Sequence, residues 1–349
     1  MKRRSTKCNL ENKFISTYED GTLQAKAYFA QRHSGFTLIE LMIALALGLL
    51  VSAVAIQLFL TSQRSITTQQ AMMNLQNSTL FGLGTMINDI RLANYNSSQP
   101  YVNDKVLYGG VVLSANNISA NLPTFTINSE LLTRGSVGPS NLKDQQSDQL
   151  VIQYHVSTAN QYDCEGRGLA SGDYVVERYF LRADSNRSDP NQPLALACKA
   201  ARYTAASAKT NTTLNLAGNG EIIIPRADHF SVRLGVAFDG ANSTCDAVTE
   251  TAASSIANIV PDTRLDCFSY MNIENYRALT GEKPQIVSLQ IGLLVRSTDT
   301  GGNNQFFDTD QKYKVLNVDE KLKTDDKNKL YLRSVVTQTI AIRNGFGIQ

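Results

Sequence analysis

The sequence predicts an α+β protein. One long N-terminal helix, membrane-spanning in its first half, packs on an antiparallel β-sheet head with disulfide-stapled loops. Three observations predict it. Residues 36–60 (FTLIELMIALALGLLVSAVAIQLFL) form an apolar run with a single ionisable group. No proline follows that run until Pro100, and apolar residues recur at helical spacing as far as Ile90. From about residue 101 the apolar period changes from that of a helix to two.

Composition narrows the classes before any element is read. The chain has 349 residues, enough for a sizeable core, with 42% hydrophobic and 18% charged residues. A net charge of +2 gives no broad electrostatic sign of a nucleic-acid binder, and three histidines leave little material for a multi-histidine metal site. Charge is unevenly placed. Residues 1–35 carry seven basic and three acidic side chains, whereas the other 314 carry a net −2.

The 25 residues of 36–60 reach about 38 Å as a helix, enough for a bilayer core of about 30 Å. The basic leader before them orients the N-terminus to the cytoplasm and the C-terminal bulk outward. Glu40, four residues into the run, is costly at mid-bilayer, about 2.5–3.5 kcal/mol, so such a residue ordinarily has a partner. A secretory signal ends in a small-residue cleavage site after its apolar core. Here the small residue, Gly35, precedes the core, so cleavage there would leave the apolar helix on the mature protein.

Ser34-Gly35-Phe36-Thr37-Leu38-Ile39-Glu40 resembles the class III signal of type IV pilins and pseudopilins. The resemblance implies cleavage by a prepilin peptidase between Gly35 and Phe36, N-methylation of Phe36, and an assembly contact at Glu40. Family leaders are commonly short and this one has 35 residues; the alternative is a later start at a non-Met codon such as Leu23. The domain expectation is a cleaved leader at 1–35, a long helix at 36–95 with 36–60 in the membrane, and a β-rich head at 96–349.

Beyond Leu60, the residues Leu80, Leu83, Ile87 and Ile90 share a helix face, with Met73 two turns earlier; Gly82 and Gly84 each weaken the helix by about 1 kcal/mol. The cluster NYNSSQP at 94–100 ends it. Strands are expected at 150–156, 174–181, 221–225, 230–238, 286–296 and 334–343, separated by polar loops. Segments 230–240 (FSVRLGVAFDG), 287–297 (VSLQIGLLVRS) and 332–344 (LRSVVTQTIAIRN) resemble late segments of PilW-type minor pilins.

Removing the leader removes Cys8 and leaves Cys164, Cys198, Cys245 and Cys267, an even number on the outer side of the membrane. Sequential pairing, Cys164 with Cys198 and Cys245 with Cys267, closes the shortest loops, each bridge contributing about 3–4 kcal/mol. No metal is expected: no C-x-x-C spacing exists, and His155 and His229 are isolated. Asp299, Asp308 and Asp310 read as an exposed acidic turn, since their spacing fails the calcium-loop pattern. Residues 321–333 read as a solvated mixed-charge face. No nucleophile, P-loop, zinc or dinucleotide motif is present, so neither an enzyme nor a cofactor is expected.

The resemblance implies a minor pilin that primes or caps a type IV pilus, and through it twitching motility, adhesion and DNA uptake. It implies co-assembly with other minor pilins and the major pilin, with the inner-membrane assembly platform and a tip adhesin as further partners. The implied location is the inner membrane, single-pass with a periplasmic head, and then the pilus. A J-type pseudopilin of type II secretion and a DNA-binding tip subunit are the alternatives. The second needs a basic patch that the mature charge does not announce.

Overall fold

The computed structural model describes residues 35–345, apart from residue 98 and segments 120–125, 186–192, 211–212, 239–264, 266, 301–309 and 324–329. The chain divides into two compact units, Met1–Phe59 and Leu60–Gln349. The leader expected at 1–35 lies outside the described residues except for Gly35.

Helix α1 (Leu38–Leu92) opens the described chain. Its end is written in asparagine. Asn94 and Asn96 take left-handed φ values of 63° and 55°, which short polar side chains tolerate better than most. The Asn94 carboxamide donates to the carbonyl of Asn344 at 2.6 Å and accepts from the amide of Gly110 at 3.0 Å. The helix terminus is thereby tied to the end of the chain and to the first loop of the head.

Within the second unit α1 buries Ala71, Leu75, Thr79, Gly82, Leu83, Met86 and Ile90. This corrects the expected stripe. Leu83 and Ile90 are on it, Ile87 is half-buried at its margin, and Leu80 (65% exposed) and Met73 (53% exposed) face away. Closeness decides the choice. A Cβ on Gly82 would collide with the Ile223 carbonyl and the Ile224 side chain, so helix and sheet touch almost backbone to backbone there. Glycine at position 82 permits that approach, and a leucine there would not.

Two antiparallel sheets, of five and four strands, make up most of the head, with three two-stranded pairs beside them among the described residues. The first is a meander of β1 (Arg134–Gly138), β2 (Ser147–His155), β3 (Asp173–Ala183), β4 (Leu194–Thr204) and β5 (Glu221–Pro225). Arg226, at φ 55°, then turns the chain into β6 (Ala227–Phe238). The second sheet has β6 between β7 (Cys267–Asn272) and β8 (Gln285–Thr300), with β9 (Tyr331–Ala341) beyond β8. All six expected strands are present. The helix stripe and the inner faces of both sheets form one core, with Leu75, Met86 and Ile90 meeting Ile152, Tyr179 and Leu196 of the first sheet and Phe230, Leu234 and Leu289 of the second.

Two carboxylates, half-buried Asp148 and buried Asp228, join the pieces. Asp148 on β2 accepts from the Val232 amide of β6 at 2.7 Å and from the Ser136 amide of β1 at 3.0 Å. Asp228 on β6 binds Arg333 of β9 at 2.7 Å and lies 3.6 Å from Arg296 of β8.

Candidate functional site

The residues singled out by the sequence begin where α1 begins. Phe36 is 88% exposed and Leu38 78% exposed, and Gly35 beside them is exposed as well. No residue of the most apolar window of α1 is buried within the molecule, and the helix is long and apolar enough to cross a membrane. An exposed apolar surface of that extent marks a lipid or protein contact. Ser52, a polar residue inside the run, is satisfied locally, its hydroxyl donating to the Gly48 carbonyl at 2.8 Å.

Thr37 and Glu40 form a reciprocal pair at the helix start. The Thr37 amide and hydroxyl donate to Glu40 Oε2 at 3.0 and 3.1 Å, and the Glu40 amide donates back to Thr37 Oγ1 at 3.3 Å. This is a capping box, which satisfies amides that the first helical turn leaves without partners. The sequence reading missed it, although Thr-x-x-Glu ahead of an apolar run is its signature. The carboxylate thus sits in the first turn, where the helix dipole favours negative charge.

Cys164 and Cys198 are joined by a disulfide, their Cα atoms 6.1 Å apart. Cys164 lies in a loop, but Cys198 is fully buried on β4, so the staple fastens a loop to an interior strand. Cys267 is disulfide-bonded, and Cys245, its expected partner, lies outside the described residues. A buried polar cluster surrounds the Cys164–Cys198 bridge. Glu177 Oε1 accepts from the Cys164 amide at 2.9 Å and from the Tyr154 hydroxyl at 3.1 Å. Tyr179 Oη lies 2.9 Å from Glu177 Oε2 and 2.9 Å from Asp89 Oδ2 of α1. Burial, and then the Asp89 charge, raise Glu177 to about 8; burial raises Asp89 to about 6. No spacing in the sequence announces this cluster. A glutamate inside the apolar strand YVVERYFL was the available signal.

The other marked residues have structural roles. The ring of His155 is held by the Asn96 carboxamide at 2.7 Å. His229 is buried beside the Ser140 hydroxyl at 2.9 Å, and burial pushes it down to about 4, so it stays neutral. Asp310 is exposed and pairs with Lys321 at 3.3 Å. Asp308 lies outside the described residues, as does the side chain of Asp299. Among the described residues Cys164, Glu177 and Cys198 group like metal ligands, but both sulfurs are in the disulfide.

Comparison with known proteins gives two family matches. The prokaryotic N-terminal methylation motif matches residues 30–56, the stretch containing Gly35, Phe36 and Glu40. Type IV Pilus-assembly protein W matches residues 178–344, from β3 to the end of the described chain. No curated protein matches. Among solved structures, a type IV-like pilin from Thermus thermophilus is similar over 77% of this chain and 96% of its own, at 10% identity and a TM-score of 0.35.

Proposed function

We propose that this chain, which belongs to the type IV pilins as a minor pilin of the PilW type, primes or caps pilus assembly through the packing of its α1 segment among neighbouring subunits. Pilin-family proteins of this kind are structural, and a methylation motif on one apolar helix makes this a membrane-anchored pilin. Glu40 carries the reading: it is the single carboxylate of the exposed apolar run at 36–60, inside the matched motif. In the assembled filament it pairs with the N-terminal amine of an adjacent protomer, so that neither charge stands alone in an apolar medium. Prepilin peptidase cuts after Gly35 and Phe36 becomes the methylated terminus. The head lies in the periplasm before assembly and on the pilus after it. Ile66, Met73 and Leu80, exposed at seven-residue spacing, extend the apolar contact along α1.

Partners on this reading are the major pilin, other minor pilins, the assembly platform and a tip adhesin, with twitching, adhesion and DNA uptake as properties of the filament. The test is Glu40→Ala in cells. Breaking a buried pair costs about 3–5 kcal/mol, which lowers association by about 10²–10³-fold. The variant should be cleaved at Gly35, remain in the membrane at normal level, and be largely lost from sheared filaments. Incorporation at wild-type level would refute the contact.

A further inference from the structure

The last turns of α1 meet the head through a chain of three oxygens: Asp89 Oδ2, Tyr179 Oη and Glu177 Oε2, each step 2.9 Å. A phenol has one hydrogen and can donate only once. Both contacts are hydrogen bonds only if one carboxyl brings a hydrogen of its own. The donors around Glu177 identify that carboxyl. The Tyr154 hydroxyl and the Cys164 amide both point at Oε1, the pattern of a carbonyl oxygen, which leaves Oε2 to be the hydroxyl. We propose that Glu177 is a neutral acid that donates to Tyr179, that Tyr179 donates to the Asp89 carboxylate, and that this shared proton latches the end of α1 to the head in a pH-dependent way.

The surroundings leave the proton in place. Glu177 and Tyr179 are fully buried, and Tyr154 is 3% exposed. From the loop beside the disulfide, Asp163 faces the cluster and raises Asp89 further. The nearby cations are engaged with other acids: Arg167 lies 3.8 Å from Asp163 and also pairs with Glu165, and Lys199 binds Glu165 at 3.0 Å. The disulfide sulfurs, within 4.8 Å of a Glu177 oxygen, carry no charge. Both phenols are shifted upward and keep their hydrogens. Loss of the proton sets two carboxylates on either side of a single phenol hydrogen, and one of the two contacts becomes repulsive.

A carboxyl whose pKa is raised by folding binds more protons in the folded state. Its contribution is therefore fully present below the ordinary carboxylate range and is lost as pH rises through the folded value. For Glu177 that value is about 8. Asp148, raised to about 6 by burial, and His229, lowered to about 4, titrate below this window. The test uses the purified full chain in detergent between pH 6.5 and 8.5. Hydrogen exchange should show the opening constant of amides 87–92 rising with pH, by up to about tenfold per unit once intrinsic exchange is divided out. Infrared spectra at pH 7 should show the carbonyl stretch of a neutral buried carboxyl. In Glu177→Gln the amide donates permanently to Tyr179, so the pH dependence should vanish and the carboxyl band with it. Asp89→Asn, which donates to Tyr179 from the helix side, should flatten the profile too and serves if the first variant does not fold. A wild-type slope retained in the folded variant, or no neutral carboxyl at pH 7 in the wild type, would overturn the latch.

Discussion

Gly82 and Gly84 stand two residues apart in the same helix, and the structure assigns opposite signs to the same substitution at each. Replacing either by Ala gains about 1 kcal/mol of helix propensity. At Gly84 nothing lies within 4 Å of the added Cβ, so Gly84→Ala should stabilise the head by about that amount. At Gly82 the added carbon meets the Ile223 carbonyl and the buried Ile224 side chain, so helix or strand must shift to admit it. Overpacking of this kind costs about 1–3 kcal/mol. The propensity gain is common to both variants and cancels in their difference, so the gap between them is the steric cost alone, about 1–3 kcal/mol. Urea unfolding of the full chain in detergent, followed by far-UV circular dichroism, measures it directly as a difference in midpoint at equal slope. Midpoints that move together to higher urea in both variants would mean that the helix does not approach β5 as closely as described.

Thr37→Ala removes the capping box but keeps the Glu40 carboxylate, and should cost about 1 kcal/mol, read as faster exchange of the first-turn amides of α1 in detergent. Cys198→Ala opens a bridge spanning 34 residues, and loop-closure entropy sets the loss at about 4 kcal/mol, read as a lower urea midpoint; an unchanged midpoint would mean that the bridge constrains little in the unfolded chain.

What was legible in the sequence was whatever a period or a compositional edge encodes. The apolar run, its lone Glu40 and six apolar strands, two of them clearly alternating, follow from hydrophobicity alone. Strand β4 was not foreseen because LALACKAARYT is rich in Ala, Leu, Lys and Arg, which favour helices; pairing with β3 along its whole length overrides that preference. Strand β1, RGSVG, carries two glycines and pairs through an irregular register, so it lacks an alternating signal. Division of the head into two sheets turns on Arg226, one residue in a left-handed conformation, which composition does not mark. The helix stripe was misassigned for a related reason. Hydrophobicity selects Leu80, whereas contact distance selects Gly82. The cluster of Asp89, Tyr154, Tyr179 and Glu177 was out of reach because Asp89 and Tyr179, 90 residues apart, meet only when β3 lies under α1.

The capping box changes what a Glu40 variant means. Read from the sequence, the carboxylate was an isolated charge in an apolar run, and any loss of assembly on its removal would report a missing partner. The structure gives it two donors from Thr37 and a place in the first helical turn. Glu40→Ala therefore removes two things at once, a local cap worth about 1 kcal/mol and the contact with a neighbour's amine. Thr37→Ala removes only the first. If the neighbour's amine is what matters, Thr37→Ala should assemble almost as the wild type while Glu40→Ala is excluded from filaments. Equal exclusion of both would make the ordered helix start the assembly determinant, and Glu40 would then act through Thr37.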